Sequence, residues 1–167
     1  LSPDPKTIWM EGIGFIGLGS NAKAASVAGD LAVQNARVRA IGEDTGGFYP
    51  ISEKDLFDCE YWSLEQAKLG KGTPPKMQGR VVLVTGGAGA IGKAIADAFT
   101  ALGAQCFLVD QDQETLNQTL KDLGTGHAGL ALDVTEQGAA DSAMHACINT
   151  FGGLDILVSN AGAALSG

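Results

Sequence analysis

The stretch that most limits how this chain folds is Val82-Leu-Val-Thr-Gly-Gly-Ala-Gly-Ala-Ile-Gly92. It begins in VVLVT (81–85), a continuous β-branched run of the kind expected for a strand buried on both faces. A glycine-rich turn comes at once. Then Ile91, Ile95, Phe99 and Leu102 recur at helical spacing up to Gly103. A strand that enters a helix through glycines lets backbone N–H groups approach a pyrophosphate, whose charge the helix N-terminus favours. Gly87, Gly89 and Gly92 spell G-x-G-x-x-G, and Thr85, Gly86 and Gly92 also fit T-G-x-x-x-G-x-G. In the second register Ala90 takes the middle glycine position, where its methyl is expected to crowd the loop slightly. The candidate cradle is therefore Thr85, Gly86, Gly87, Gly89, Ala90, Ile91 and Gly92. The alternative is a purely structural turn.

Downstream the chain alternates strands with single helices: CFLVD (106–110), a helix over about 112–123, GLALDV (129–134), a helix over about 136–151, and LDILVSNAG (154–162). Single helices between strands imply parallel pairing through right-handed crossovers, and so an open, doubly wound α/β sheet of order 3-2-1-4. Asp110 ends the second strand, roughly 20 residues beyond the glycine turn, where a carboxylate can accept hydrogen bonds from adenosine ribose hydroxyls. Its charge would repel a 2′-phosphate. No Arg or Lys stands between Gly86 and Gly92 or directly after Asp110. NAD is favoured over NADP on that ground; a solvated strand-end Asp is the alternative.

The upstream part shows how weak glycine spelling is by itself. Gly12, Gly14 and Gly17 also spell G-x-G-x-x-G after the apolar run Thr7–Met10. Yet Asp30 falls inside a helical pattern over about 21–40 and not at the end of a second strand. A structural turn within one strand–turn–helix unit is the expectation, with Ala25, Ala28, Leu31, Ala32 and Val38 on one stripe of the helix. Ser52-Glu-Lys-Asp55 reads as a capping box opening a second helix, and that helix, or a pair of short ones, runs to about Leu69. GKGTPPK (70–76) reads as a linker.

Composition narrows the partners. The formal net charge of −8 argues against nucleic acid or an anionic membrane. No apolar run reaches the ~18 residues of a membrane span. Cys59, Cys106 and Cys147 suit free thiols in a reducing cytoplasm, and His127 and His145 lack metal-ligand spacing.

Beyond TGGAGAIG, Asp133-Val134 ends the third strand pattern and Asn160-Ala161-Gly162 comes after the fourth. This ordered set resembles the short-chain dehydrogenase/reductase family over about residues 79–167. The resemblance implies a Rossmann-like domain in which Asp133 and Val134 border the adenine. Asn160, Ala161 and Gly162 would border the cofactor, with Asn160 also stabilising the sheet. EYWSLEQAKL (60–69) resembles the junction of bifunctional rhamnulose-1-phosphate aldolase/short-chain dehydrogenase proteins. It implies that residues 1–70 are the tail of an aldolase-like part and 71–78 a linker, with hydride transfer on a lactaldehyde-like alcohol or aldehyde. No metal-ligating histidine lies in that upstream segment.

The family's catalytic Ser, Tyr and Lys are not expected here. Tyr49 and Tyr61 are followed four residues later by Glu53 and Glu65, and Ser166 comes too soon after Asn160. A phenol needs a nearby cation to exchange protons at neutral pH, so the chain is expected to bind cofactor without turnover. The alternative is a non-catalytic dinucleotide-binding or scaffolding module. The last strand is expected to be an open edge that invites self-association or pairing with Thr7–Met10.

Overall fold

The computed structural model describes residues 5–60 and 73–162. The chain divides into two compact units, one built from residues 1–18 and 26–74, the other from 19–25 and 75–167.

In the first unit β1 (Thr7–Met10) and β2 (Gly14–Gly17) form an antiparallel hairpin. The glycine-rich segment expected to be only a turn thus contains a strand. Its Phe15 and Ile16 face Trp9 and Ile8 across the ladder, and the Trp9 and Phe15 rings lie 5.5 Å apart. Such cross-strand apolar pairs stabilise a second strand. Gly12, at φ 75°, supplies the left-handed residue of the connection. The ladder partner of Thr7–Met10 is thus β2.

Helix α1 (Ala22–Asp44) comes next, then α2 (Glu53–Glu60). Along the stripe of α1 only Ala32 is buried, whereas Leu31 and Val38 are exposed. Ser52 caps the helix, but the Asp55 carboxylate meets its hydroxyl and not its backbone N–H, so the box is half formed. The hydroxyl accepts the Asp55 N–H at 3.1 Å and donates to the Asp55 carboxylate at 2.7 Å. The continuation of this helix to Leu69 and the first linker residues lie outside the described residues.

The second unit is the doubly wound sheet. β3 (Val81–Thr85), β4 (Gln105–Asp110), β5 (Ala128–Ala131) and β6 (Ile156–Val158) lie in the order β5-β4-β3-β6, all parallel. The connecting helices are α3 (Ala90–Ala101), α4 (Gln113–Leu123) and α5 (Ala139–Phe151). The pleat explains the uninterrupted apolar runs. Val82 and Val84 join Ala96, Cys106, Leu108 and Leu116 in one core layer, while Val81 and Leu83 join Phe107, Val109, Ala143 and Cys147 in the other. Each fully buried Val or Leu contributes ~1.5–3 kcal/mol of hydrophobic stabilisation.

Two strands are shorter than the pattern suggests. The third stops at Ala131, leaving Asp133 and Val134 in the following turn, and the fourth covers only Ile156–Val158, leaving Asn160 in a loop. At the amino ends of β3 and β6 Asp155 accepts the Val81 N–H at 2.8 Å and Arg80 Nη1 at 2.6 Å. The Val81 N–H and then the guanidinium hold its carboxyl below the usual range.

Candidate functional site

The carboxyl ends of β3, β4, β5 and β6 surround a cavity of about 530 Å³. It lies where neighbouring strands diverge on the two sides of β3, the switch point at which open α/β sheets take ligands. The glycine turn forms its floor, and glycine is needed there for three separate reasons. Gly86 has φ 63°, a left-handed conformation. A methyl on Gly92 would overlap the Gly86 carbonyl oxygen and lie 2.9 Å from Gly87 Cα. A methyl on Gly87 would lie 2.9 Å from Leu108 Cβ, and the Gly87 N–H bonds the Val109 carbonyl at 3.1 Å. Gly87 therefore seats the turn on β4 and is not among the cavity-lining residues.

Gly89 differs. A Cβ there would meet only the Gly86 oxygen at 3.4 Å, an ordinary contact. Gly89 is the N-cap of α3 and offers no side-chain cap. The first-turn N–H groups of the helix thus face the cavity end without a side chain in front of them, as an anionic group requires. By contrast the Asp112 carboxylate caps α4, accepting the Glu114 and Thr115 N–H groups at 3.0 and 3.1 Å. The Thr115 hydroxyl, more than those amides, keeps the Asp112 carboxyl below its usual range. Ala90 is exposed and lines the cavity.

Asp110 stands at the end of β4 in the cavity wall. Its two oxygens are fixed by backbone donors, Ala88 N–H at 2.9 Å and Asp112 N–H at 3.2 Å. Each carboxylate oxygen keeps a lone pair for a hydroxyl. Asp133 is locked in its turn, accepting the Thr135 N–H at 2.9 Å and the Thr135 hydroxyl at 2.7 Å. Those two bonds, the backbone one first, hold its carboxyl below the usual range.

Asn160 joins the last loop to the glycine turn. Its Nδ2 donates to the Thr85 carbonyl at 3.0 Å and to the Gly86 carbonyl at 3.2 Å. The Thr85 hydroxyl accepts the N–H groups of Asn160 and Ala161 at 3.0 and 3.1 Å. Thr85 therefore works behind the cavity wall, while Asn160, Ala161 and Gly162 line it. Sequence reasoning overlooked Gln111 and Thr135, which also line it. The signals were present: Gln111 directly succeeds Asp110, and Asp133-x-Thr135 is an Asx-turn pattern.

The residues brought together fit a dinucleotide: an uncapped helix N-terminus, a turn that excludes side chains, and a carboxylate with free lone pairs. Residues 80–167 match the family model for the short chain dehydrogenases. The chain belongs to the short-chain dehydrogenase family.

Residues 1–69 match a second model, the second domain of class II aldolases, so the chain has the architecture of a bifunctional aldolase and short-chain dehydrogenase. Over 168 aligned residues it is 32% identical to the uncharacterized oxidoreductase YuxG of Bacillus subtilis, covering 97% of this chain and 24% of that protein. Two solved structures resemble the dehydrogenase part. An NAD+-bound xylitol dehydrogenase gives a TM-score of 0.50 at 32% identity, covering 53% of this chain and 35% of the other. An L-sorbose reductase from Gluconobacter frateurii, complexed with NADPH and L-sorbose, gives 0.51 at 33% identity, covering 55% and 36%. The chain thus spans between about a quarter and a third of the length of these relatives. The fold is that of an NAD(P)-binding oxidoreductase. Among the described residues no helix is long and apolar enough to cross a membrane, and no cluster of three His, Cys, Asp or Glu is placed to hold a metal ion.

Proposed function

We propose that residues 79–167 are the NAD-binding half of a dehydrogenase that interconverts a small alcohol and aldehyde of the lactaldehyde type. On this reading residues 1–70 are the tail of the aldolase part, and 71–78 the linker. The observation that carries it is Asp110, a carboxylate pinned in the cavity wall by two backbone amides, with no Lys or Arg among the lining residues. Such a group accepts from ribose hydroxyls and repels a 2′-phosphate. The glycine turn and the α3 N-terminus would hold the pyrophosphate, and Asp133, Val134 and Asn160–Gly162 would border the rest.

A bound nicotinamide supplies hydride transfer; the residues of this chain hold, orient and discriminate. The upstream aldolase match favours a product of aldol cleavage as substrate. The small hydroxylated compounds in the names of the two solved relatives are of the same kind. Three free thiols suit a reducing, cytoplasmic setting. No Tyr-x-x-x-Lys is present, so this chain alone is expected to bind without turnover.

Calorimetric titration tests the reading. NAD should bind at millimolar concentration, and NADP about tenfold more weakly. The absence of heat with NAD, or an equal response to NADP, would sink it. Oxidation or reduction of lactaldehyde by this chain would overturn the second half.

A further inference from the structure

Helix α1 carries an apolar stripe whose flanking charges specify what covers it. Val27, Leu31, Val38 and Ile41 are 49%, 59%, 51% and 63% exposed, whereas the buried Ala32 lies toward the opposite face. Ala24, Leu31 and Val38 take the a positions of a heptad, and Val27, Gln34 and Ile41 take the d positions. This seam runs along the whole 23-residue helix, about 34 Å.

The g positions are Lys23, Asp30, Arg37 and Asp44, alternating in sign and all exposed; none makes an ion pair among the described residues. The e positions, Ala28, Asn35 and Gly42, carry no charge. In a parallel pair of helices g faces the other helix's e, so these charges would meet nothing. In an antiparallel pair g faces g. The register that overlaps the full helix sets Val27 against Val38, Ala24 against Ile41 and Leu31 against Gln34 of the second copy. The same register brings Asp30 to Arg37 and Lys23 to Asp44, each pair occurring twice by symmetry. Every g contact is then attractive, as an isologous two-fold interface requires.

We propose that α1 is a self-association surface, on which a second copy of this chain packs antiparallel across the Val27–Ile41 stripe. The inference stands on one helix and is independent of the cofactor reading. The interface is also distinct from the β6 edge, where sequence reasoning expected association.

Sedimentation equilibrium on the chain, its Asp30→Arg and Leu31→Lys variants and the double variant Asp30→Arg/Arg37→Asp tests it. The unmodified chain should dimerise. Asp30→Arg should weaken the dimer about tenfold by turning two attractions into repulsions, and the charge swap should restore it. Leu31→Lys should leave a monomer. A monomeric unmodified chain would overturn the proposal, because the stripe then serves another occupant. A dimer indifferent to Leu31→Lys, or a charge swap that rescues nothing, would overturn it equally.

Discussion

Two segments of this molecule share one spelling, and they do different things. Gly12-Ile-Gly-Phe-Ile-Gly17 closes a hairpin, whereas Gly87-Ala-Gly-Ala-Ile-Gly92 bends a buried strand into a helix and floors a cavity. The difference lies in the residues that succeed the glycines. After Gly14 the residues Phe15 and Ile16 stand opposite Trp9 and Ile8, and a second strand pairs at once. After Gly89 the apolar residues recur at helical spacing, and the returning α3 packs on its own strand. A glycine motif therefore specifies permissive backbone, and the neighbouring periodicity decides what the backbone is for.

The contrast can be broken at several points, and the largest effect is expected at Gly92. Gly92→Ala drives a methyl into the Gly86 carbonyl and the Gly87 backbone. Urea unfolding should show a loss of about 3 kcal/mol. Gly12→Ala meets nothing within 4 Å and bears only the strain of φ 75°, about 1 kcal/mol. Equal losses at both sites would erase the distinction.

Asp110→Ala comes next. It removes the acceptor proposed for the ribose and leaves the Ala88 N–H without its partner, so about 2 kcal/mol of stability should go. NAD affinity should fall about tenfold or more. Asp30→Ala, inside the helix that follows the first glycine segment, should leave NAD binding unchanged by calorimetry.

Gly89→Asp separates fold from binding. The space accepts a Cβ, and an N-cap carboxylate should raise stability by a few tenths of a kcal/mol. The same charge at the cavity should lower NAD affinity about tenfold. Weaker binding accompanied by a comparable loss of stability would mean that Gly89 serves the fold and not the ligand.

The smallest effect is a pH dependence confined to the sheet unit. His127 Nδ1 accepts the Cys106 N–H at 3.0 Å, and burial holds its pKa below the ordinary 6.5. Neutral His127 thus stabilises the folded state fully above pH 6.5. That stability is lost as pH falls below 6.5 toward the folded pKa. In His127→Gln, Tm measured by circular dichroism should lose this part of its pH dependence. Both tryptophans, Trp9 and Trp62, belong to the other unit, so the change should be absent from tryptophan emission.

Much of the sheet unit could be read in advance because its signals are local. Strands buried on both faces have to be uninterrupted apolar runs, and Asp112, Gly103 and Gly124 punctuate the helices. Strand ends were less readable. Asp133 and Asn160 leave the ladder to bond Thr135 and Thr85, and only the last of these partners is remote in sequence. The first unit was read less well. An apolar stripe on α1 has the same appearance whether it meets a core or lies open, because periodicity records the face and not what covers it.

The amino-acid order alone was enough for the parallel α/β class, the glycine turn and the acid after the second strand, since each depends on residues close together along the chain. Three-dimensional packing had to decide the rest. It set Gly87 against Leu108, tied Asn160 to the turn across a separation of 75 residues, and pinned Asp110 between two amides. Each of these contacts depends on how the strands line up, and no window of neighbouring residues contains that alignment.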